Sequence, residues 1–473
     1  MSKFYVTTAI AYANAKPHLG HALEFIQGDV LARYRKLHGD DVRYATGMDE
    51  NGLKNYRAAQ KAGKDTLEFV SEIAEQFKAL DKLYDVAYTD FVRTTAPYHR
   101  EASGAIWRAV ASRGDIYKKS YKAIYCVGHE AFLTQSELVD GRCPDHPNLT
   151  PELVEEENYF FRLSKYQKEL LDFYAKNPDF VVPATRFNEL KRFAEKGLED
   201  ISVSRPVSKL PWGIPVPDDP SHVMYVWFDA LTNYISVVGY GQKDREKEFA
   251  QWWPAEVHVI GKDIVRFHGA IWPAMLLSAG LDLPKQLFVH GFITSSGQKM
   301  SKTVGNVIDP VELAQKYGAE AARAFLLSEI PTLDDADVTW ERIDAFYNGV
   351  LVNGLGNLLQ RTLTLINNAG FKPGPGAKPS CADVFKFIES YQFHEAMRSI
   401  WTMVGNANQE VDREKVWELV RSDEKKGEKV LLSLFRQLET IGTALKPLVP
   451  RTSERILQQL ETLEAKPLFL RMR

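Results

Sequence analysis

The chain is short of cysteine, of net charge and of long apolar runs, and each shortage narrows what it can be. Only Cys126, Cys143 and Cys381 supply thiols among 473 residues. That excludes a disulfide framework and leaves sulfur for metal binding or packing. No apolar run reaches the roughly 20 residues that span a bilayer. The amino terminus lacks a basic-then-apolar leader. A cytoplasmic chain with no membrane partner is the expectation. The formal net charge is −3, so the chain lacks the basic excess of a non-specific nucleic-acid binder. An RNA partner would have to be met by a local basic stripe. Repeats and low-complexity tracts are also missing. What remains is 45% hydrophobic and 26% charged, the balance of a globular protein with two to four domains.

The first stretch with chemistry in it is His18-Leu19-Gly20-His21. It follows the apolar run Phe4-Tyr5-Val6-Thr7-Thr8, which reads as a buried parallel strand. Leu23, Ile26, Val30, Tyr34 and Leu37 then recur at helical steps. The two histidines therefore fall where a strand's carboxyl end turns into a helix, the place where open α/β sheets bind ligands. A helix amino terminus favours phosphate, and Gly20 lets another group approach the backbone closely. Taken alone, two histidines at a turn are more often structural groups than phosphate ligands.

Four segments follow from composition and period. Residues 1–116 alternate strand and helix; Val42–Thr46 reads as a strand, followed by the acidic turn Gly47-Met48-Asp49-Glu50-Asn51-Gly52. Asp49 and Glu50 could cap the next helix or receive a cationic ligand group. Residues 117–221 break the alternation, and Ser204-Arg205-Pro206 and Pro211–Pro215 mark its return. Inside lies Cys126-x2-His129-x13-Cys143-x2-His146. Two short chelating loops at this spacing fit a structural, tetrahedral zinc knuckle with no open position; the alternative is a pair of turns whose thiols pack as small apolar groups. Residues 222–345 resume the α/β pattern, with Val257–Ile260 a strand ending at Gly261-Lys262-Asp263. Gln286–Ile293 is another strand, leading to Lys299-Met300-Ser301-Lys302-Thr303. Residues 346–473 are helical only, with Leu351, Leu355, Leu358, Leu359 and Leu363 as one stripe.

HLGH and KMSKT, about 280 residues apart, resemble the HIGH and KMSKS signatures of class I aminoacyl-tRNA synthetases. Over nearly the whole chain the resemblance is to the methionyl-tRNA synthetase family. It implies an α/β fold. A Rossmann-like parallel-sheet catalytic domain (1–116 and 222–345) is split by a connective insertion carrying the zinc knuckle (117–221). A helical anticodon-binding bundle (346–473) follows. It implies methionine–tRNA ligase activity: L-methionine and ATP give methionyl-adenylate and pyrophosphate, then methionine passes to the 3′-terminal adenosine of tRNA(Met). It implies His18, His21, Lys299 and Lys302 as catalytic groups. ATP contacts add Gly20, Glu24, Gly261, Asp263, Met300 and Ser301. The methionine site would be Ala9, Ile10, Tyr12, Asp49, Trp227, Tyr234, Phe267 and His268, with Trp272 also fitting. Asn357, Arg361 and Trp417 would read the anticodon, although Trp417 could instead plug the bundle. Mg2+ would accompany ATP, and Zn2+ would sit on Cys126, His129, Cys143 and His146. A monomer is expected, because no segment matches the family's dimerising appended domain.

The chain departs from the family pattern in places. Ile10 stands for leucine, Asn51 for a common histidine, and His129 for a knuckle cysteine. A class I synthetase for valine, leucine or isoleucine would carry a larger editing insertion than the segment 117–221. A tRNA-binding paralogue without catalysis would not need both signatures intact. A short nucleotidyltransferase with an H-x-G-H motif would lack the lysine motif and the helical segment.

Overall fold

Strand β1 (Lys3–Thr8) is the centre of a sheet whose strands are buried on both faces, which is why Phe4-Tyr5-Val6 and Val257–Ile260 are almost continuously apolar. The computed structural model describes residues 2–128, 131–133, 138–144, 146–295, 298–299 and 308–472. The other strands are β2 (Ala11–Tyr12), β3 (Asp41–Asp49), β4 (Asp90–Arg93), β5 (Val181–Val182), β6 (Val257–Gly261) and β7 (Leu287–His290). Their order is β4-β3-β1-β6-β7-β5, with β2 lying beside the far end of β3. The β1–β3, β1–β6, β3–β4 and β7–β5 pairs are parallel. From β1 the chain builds outward through β3 and β4, crosses to β5 at the opposite edge, and then returns to β6 on β1's other side. That reversal makes the β1/β6 edge a topological switch point, where ligands bind beyond the carboxyl ends of the strands.

Helices Pro97–Ser112 and Trp272–Ala279 cover the sheet through Ile106, Trp107, Val110, Trp272, Met275 and Leu276, all in one buried cluster with Tyr5, Val92, Ile260 and Leu287. Two antiparallel sheets interrupt the parallel one. Ile116–Cys126 pairs with Glu152–Phe161 and Ala131–Leu133, and Asp219–Met224 pairs with Ser204–Pro206 and Pro215–Val216.

The chain divides into two compact units. One is Met1–Pro17, Asp41–Ala79 and Tyr88–Val289; the other is His18–Asp40, Leu80–Ala87 and His290–Arg473. The second contains α1 (Leu19–Leu37) and the helices from Pro310–Tyr317 to Pro450–Thr462, with Leu351, Leu355, Leu358, Leu359 and Leu363 buried. Within it Asp29 of α1 is fully buried and ion-paired with Arg33 (2.8 Å) and with the fully buried Arg323. Breaking such a pair by removing one charge strands the other in an apolar interior and costs about 3–5 kcal/mol.

Three expectations are corrected. The segment 117–221 is not one separate insertion, because Val181–Val182 returns to the main sheet beside Leu287–Phe288. The helical part does not begin at 346; the compact unit that contains it takes in 290–345 and α1. Val42–Thr46 is too short for β3, which runs to Asp49, so the turn is only Glu50-Asn51-Gly52. Gly52 is the amino cap of helix Leu53–Ala62, and neither acid caps it. No helix among the described residues is long and apolar enough to cross a membrane.

Candidate active site

In the first unit a narrow cleft of about 30 Å³ lies beyond β1 and β2. Ala9, Ile10, Tyr12, Asp49, Trp227, Tyr234 and His268 line it, together with Ala230, Leu231 and Ile264. The irregular Ala9-Ile10 step after β1 directs one wall inward, with the Ala9 N–H tied to Val259 (3.0 Å). Asp49 ends β3 and is buried; its backbone carbonyl accepts from Ala13 N–H (2.9 Å) and Asn55 (2.8 Å). Its carboxylate accepts from Asn51 N–H (3.3 Å). Glu50 is spoken for: Arg93 (2.5 Å) and the Thr95 hydroxyl hold its carboxylate. Of the two neighbouring acids, Asp49 alone borders the cleft.

The far wall is aromatic. Trp227 stacks on Phe267 with centroids 3.8 Å apart, and meets Tyr12 edge-on at 6.4 Å. Phe267 therefore backs Trp227 and is not among the lining residues. The cause is local: Phe267–Ile271 is a π-helical turn, which shifts the helical phase. His268, in the same turn, is 1% exposed and has defined hydrogen-bond roles. Its Nδ1–H donates to the Ile264 carbonyl (3.0 Å), so Nε2 accepts from the Tyr234 hydroxyl (2.7 Å). Burial lowers the His268 pKa to about 4, against the opposing pull of the Ile264 carbonyl. The ring is therefore neutral near pH 7. His258 of β6 stacks beneath Tyr234 at 4.2 Å, and burial holds it neutral as well. Ala230 and Leu231 were missed by sequence reasoning, although their place on the Trp227 helix was a signal. Ile264 carried none, since its entry depends on the 3₁₀ turn Lys262–Ile264. In that turn Asp263 is exposed, just beyond buried Gly261. Trp272, fully buried, belongs to the core.

Also in the first unit, Cys126, Cys143 and His146 bring their ligand atoms within 4.8 Å of one another. His146 Nδ1 lies 3.8 Å from Cys126 Sγ and 3.7 Å from Cys143 Sγ. A tetrahedral zinc with ordinary bond lengths separates sulfur and nitrogen ligands by about 3.6 Å, so these three donors fit that ion. A Cβ on Gly128 would overlap the His146 ring, so only glycine allows this approach. His129 lies outside the described residues.

In the second unit, His18 caps α1 and its backbone N–H donates to His21 Nδ1 (3.2 Å). The two rings stack at 3.7 Å. A neutral His21 then carries its proton on Nε2. The group that approaches Gly20 is the His18 ring, 3.0 Å from where a Cβ would stand. Glu24, one turn on, meets His290 Nε2 at 2.9 Å. Lys299 pairs by its backbone with Thr294; Met300, Ser301 and Lys302 lie outside the described residues. Asn357 and Trp417 are exposed. Arg361 lies 4.9 Å over the Trp417 ring and pairs with Asp412 at 2.8 Å. Trp417 is not a plug: it is 38% exposed, on a short helix launched by the left-handed Lys415.

The family described as tRNA synthetases class I (M) matches residues 4–149 and 146–363. The chain belongs to the methionine-type class I tRNA synthetases. The methionine–tRNA ligase of Caldanaerobacter subterraneus subsp. tengcongensis is 43% identical over 97% of this chain and 74% of its own. That of Brucella suis biovar 1 is 43% identical over 96% and 91%. A solved Mycobacterium tuberculosis methionyl-tRNA synthetase in complex with methionyl-adenylate has a TM-score of 0.91 at 38% identity, covering 100% of both chains. Seven of the eight residues expected in the synthetase methionine site (all but Phe267) therefore line one cleft at the sheet's switch point.

Proposed function

We propose that this synthetase is a methionine–tRNA ligase, activating L-methionine with ATP and transferring it to the 3′-terminal adenosine of tRNA(Met). The observation that carries the reading is the cleft, aromatic on one side and bounded by the Asp49 carboxylate. Aromatic contacts with a thioether are worth about 0.3–1.5 kcal/mol each, and Trp227 and Tyr12 present ring surface for them. Asp49 holds the α-ammonium by a charge-assisted hydrogen bond. Tyr234 and His268 form a neutral polar pair, which accommodates a sulfur ligand and gives a cationic side chain no partner.

Adenylate forms when the methionine carboxylate attacks the α-phosphate of ATP and pyrophosphate leaves. Charge grows on the phosphates, so positioned donors carry the rate. His18, His21, Lys299 and Lys302 take that role, with Gly20, Met300 and Ser301 shaping the phosphate site. Gly261, Asp263 and Glu24 contact the nucleoside. Mg2+ bound with ATP would neutralise phosphate charge. Cys126, Cys143 and His146, with His129 as a candidate fourth ligand, would hold a structural Zn2+ that would tie the two knuckle loops together. Asn357 and Arg361 meet exposed base edges of the anticodon, and Trp417 stacks a splayed base. The synthetase acts as a cytoplasmic monomer.

Pyrophosphate exchange into ATP should require methionine among the twenty amino acids and fall about 100-fold in His21→Ala. Exchange driven by another amino acid, or none, would overturn the ligase reading. Metal analysis should find about one zinc per chain. Gly128→Ala should lower zinc content without removing a ligand; an active, zinc-free wild type would refute the knuckle.

A further inference from the structure

His290 has no part in the signatures, yet it joins the elements that carry them. It ends β7, and the chain runs from it through Gly291 and Phe292 into the strand Ile293–Ser295. That strand pairs with Gln298–Lys299, so it holds the Lys299 backbone. His290 is 6% exposed, and both ring nitrogens face oxygen. Nδ1 is 2.8 Å from the Gly291 carbonyl, and Nε2 is 2.9 Å from the Glu24 carboxylate. A carbonyl only accepts, so Nδ1 carries a proton. Nε2 and Glu24 must then share a further proton for their contact to be a hydrogen bond. Either form of that bond, imidazolium to carboxylate or carboxylic acid to imidazole, fixes the direction of the Glu24 side chain.

The root of this connection is rigid. A Cβ on Gly291 would fall within the Asp334 carbonyl, so that close approach permits only glycine. Phe292 N–H donates to the Asp335 carboxylate (2.9 Å), and Ile293 pairs with Ala336. His290 is thus a fixed post. Glu24 is the acid on α1 one turn beyond His21, and its carboxylate is turned toward that post.

We infer that His290 is a positioning residue for ATP binding, which holds the Glu24 carboxylate in register with the His18–His21 end of α1. The inference rests on the ligase reading for the identity of the nucleotide. It assigns His290 no contact with substrate. A packing role alone would not distinguish ATP from methionine, whereas a positioning role through Glu24 does.

The test is calorimetric titration of the full chain with a non-hydrolysable ATP analogue and, separately, with methionine. His290→Leu should weaken analogue binding about tenfold and leave methionine binding within about twofold. His290→Gln, whose amide can donate to Glu24, should recover most of the loss. Glu24→Gln combined with His290→Leu should lose little more than either alone, because the two act as one unit. Equal losses for both ligands, a glutamine variant no better than leucine, fully additive losses or unchanged analogue binding would each overturn the inference. Wild type that binds the analogue but not methionine would sink the methionine reading and leave the ATP comparison standing.

Discussion

The Asp49 cleft and the outer face around Trp417, proposed above as the methionine and anticodon sites, are built in opposite ways. In the cleft the central polar groups are buried and held: Asp49 is 4% exposed, and the Tyr234–His268 bond has one direction set by the Ile264 carbonyl. On the outer face Trp417 is 38% exposed, and Arg361 divides itself between that ring and Asp412. A small amino acid offers few contacts, so its site must be organised before it arrives. An anticodon loop brings bases that can splay and stack, so an exposed aromatic with a movable cation suffices. Burial should therefore make the cleft matter to both stability and activity, and the outer face matter to tRNA alone.

The largest effect expected from this difference is on stability against pH. His268 has a folded pKa of about 4 against 6.5 unfolded, so the unfolded chain binds more protons between those values. Stability is then flat above about pH 6.5 and falls as pH drops toward 4, by roughly 3 kcal/mol from this ring alone; buried His258 acts in the same direction. Denaturant midpoints for wild type and His268→Gln at pH 7 and pH 4.5 check this. An equal acid loss in both proteins would remove His268 from the account. Next is Asp49→Asn, which keeps shape and removes charge. Charge-assisted bonds contribute about 1.5–3 kcal/mol, so kcat/KM for methionine in pyrophosphate exchange should drop roughly 10- to 100-fold. The smallest change is expected from Trp417→Ala. It should cost at least about 1 kcal/mol in tRNA use, since each stacked base contributes about that much, with unfolding unaltered. A fall in thermal stability comparable to a core deletion would return Trp417 to a packing role.

The contrast also explains what the sequence could reveal. Period and composition were enough for β1, α1, β6 and the leucine stripe, because long elements repeat their pattern. Val181–Val182 could not be placed, since a two-residue strand has no period and only its partner Leu287–Phe288 defines it. The extension of β3 to Asp49 hid behind Gly47, which reads as a turn. Gly47 sits in the strand because Val92 of β4 leaves no room for a side chain. The cleft was legible where residues matched a family pattern, as at Tyr12, Asp49, Trp227 and Tyr234. Phe267 fell out of the lining through a π-turn that a regular helix pattern does not announce. Glu50 looked equivalent to Asp49 until Arg93 and Thr95, more than forty residues on, proved to hold it.

The most direct measurement runs both half-reactions on Asp49→Asn and Trp417→Ala: methionine-dependent pyrophosphate exchange, and formation of methionyl-tRNA. The account predicts that Asp49→Asn depresses both in proportion, because adenylate precedes transfer. It predicts that Trp417→Ala leaves exchange within about twofold of wild type and lowers charging at least about fivefold. Exchange and charging falling together in Trp417→Ala, or exchange unaffected by Asp49→Asn, would contradict it.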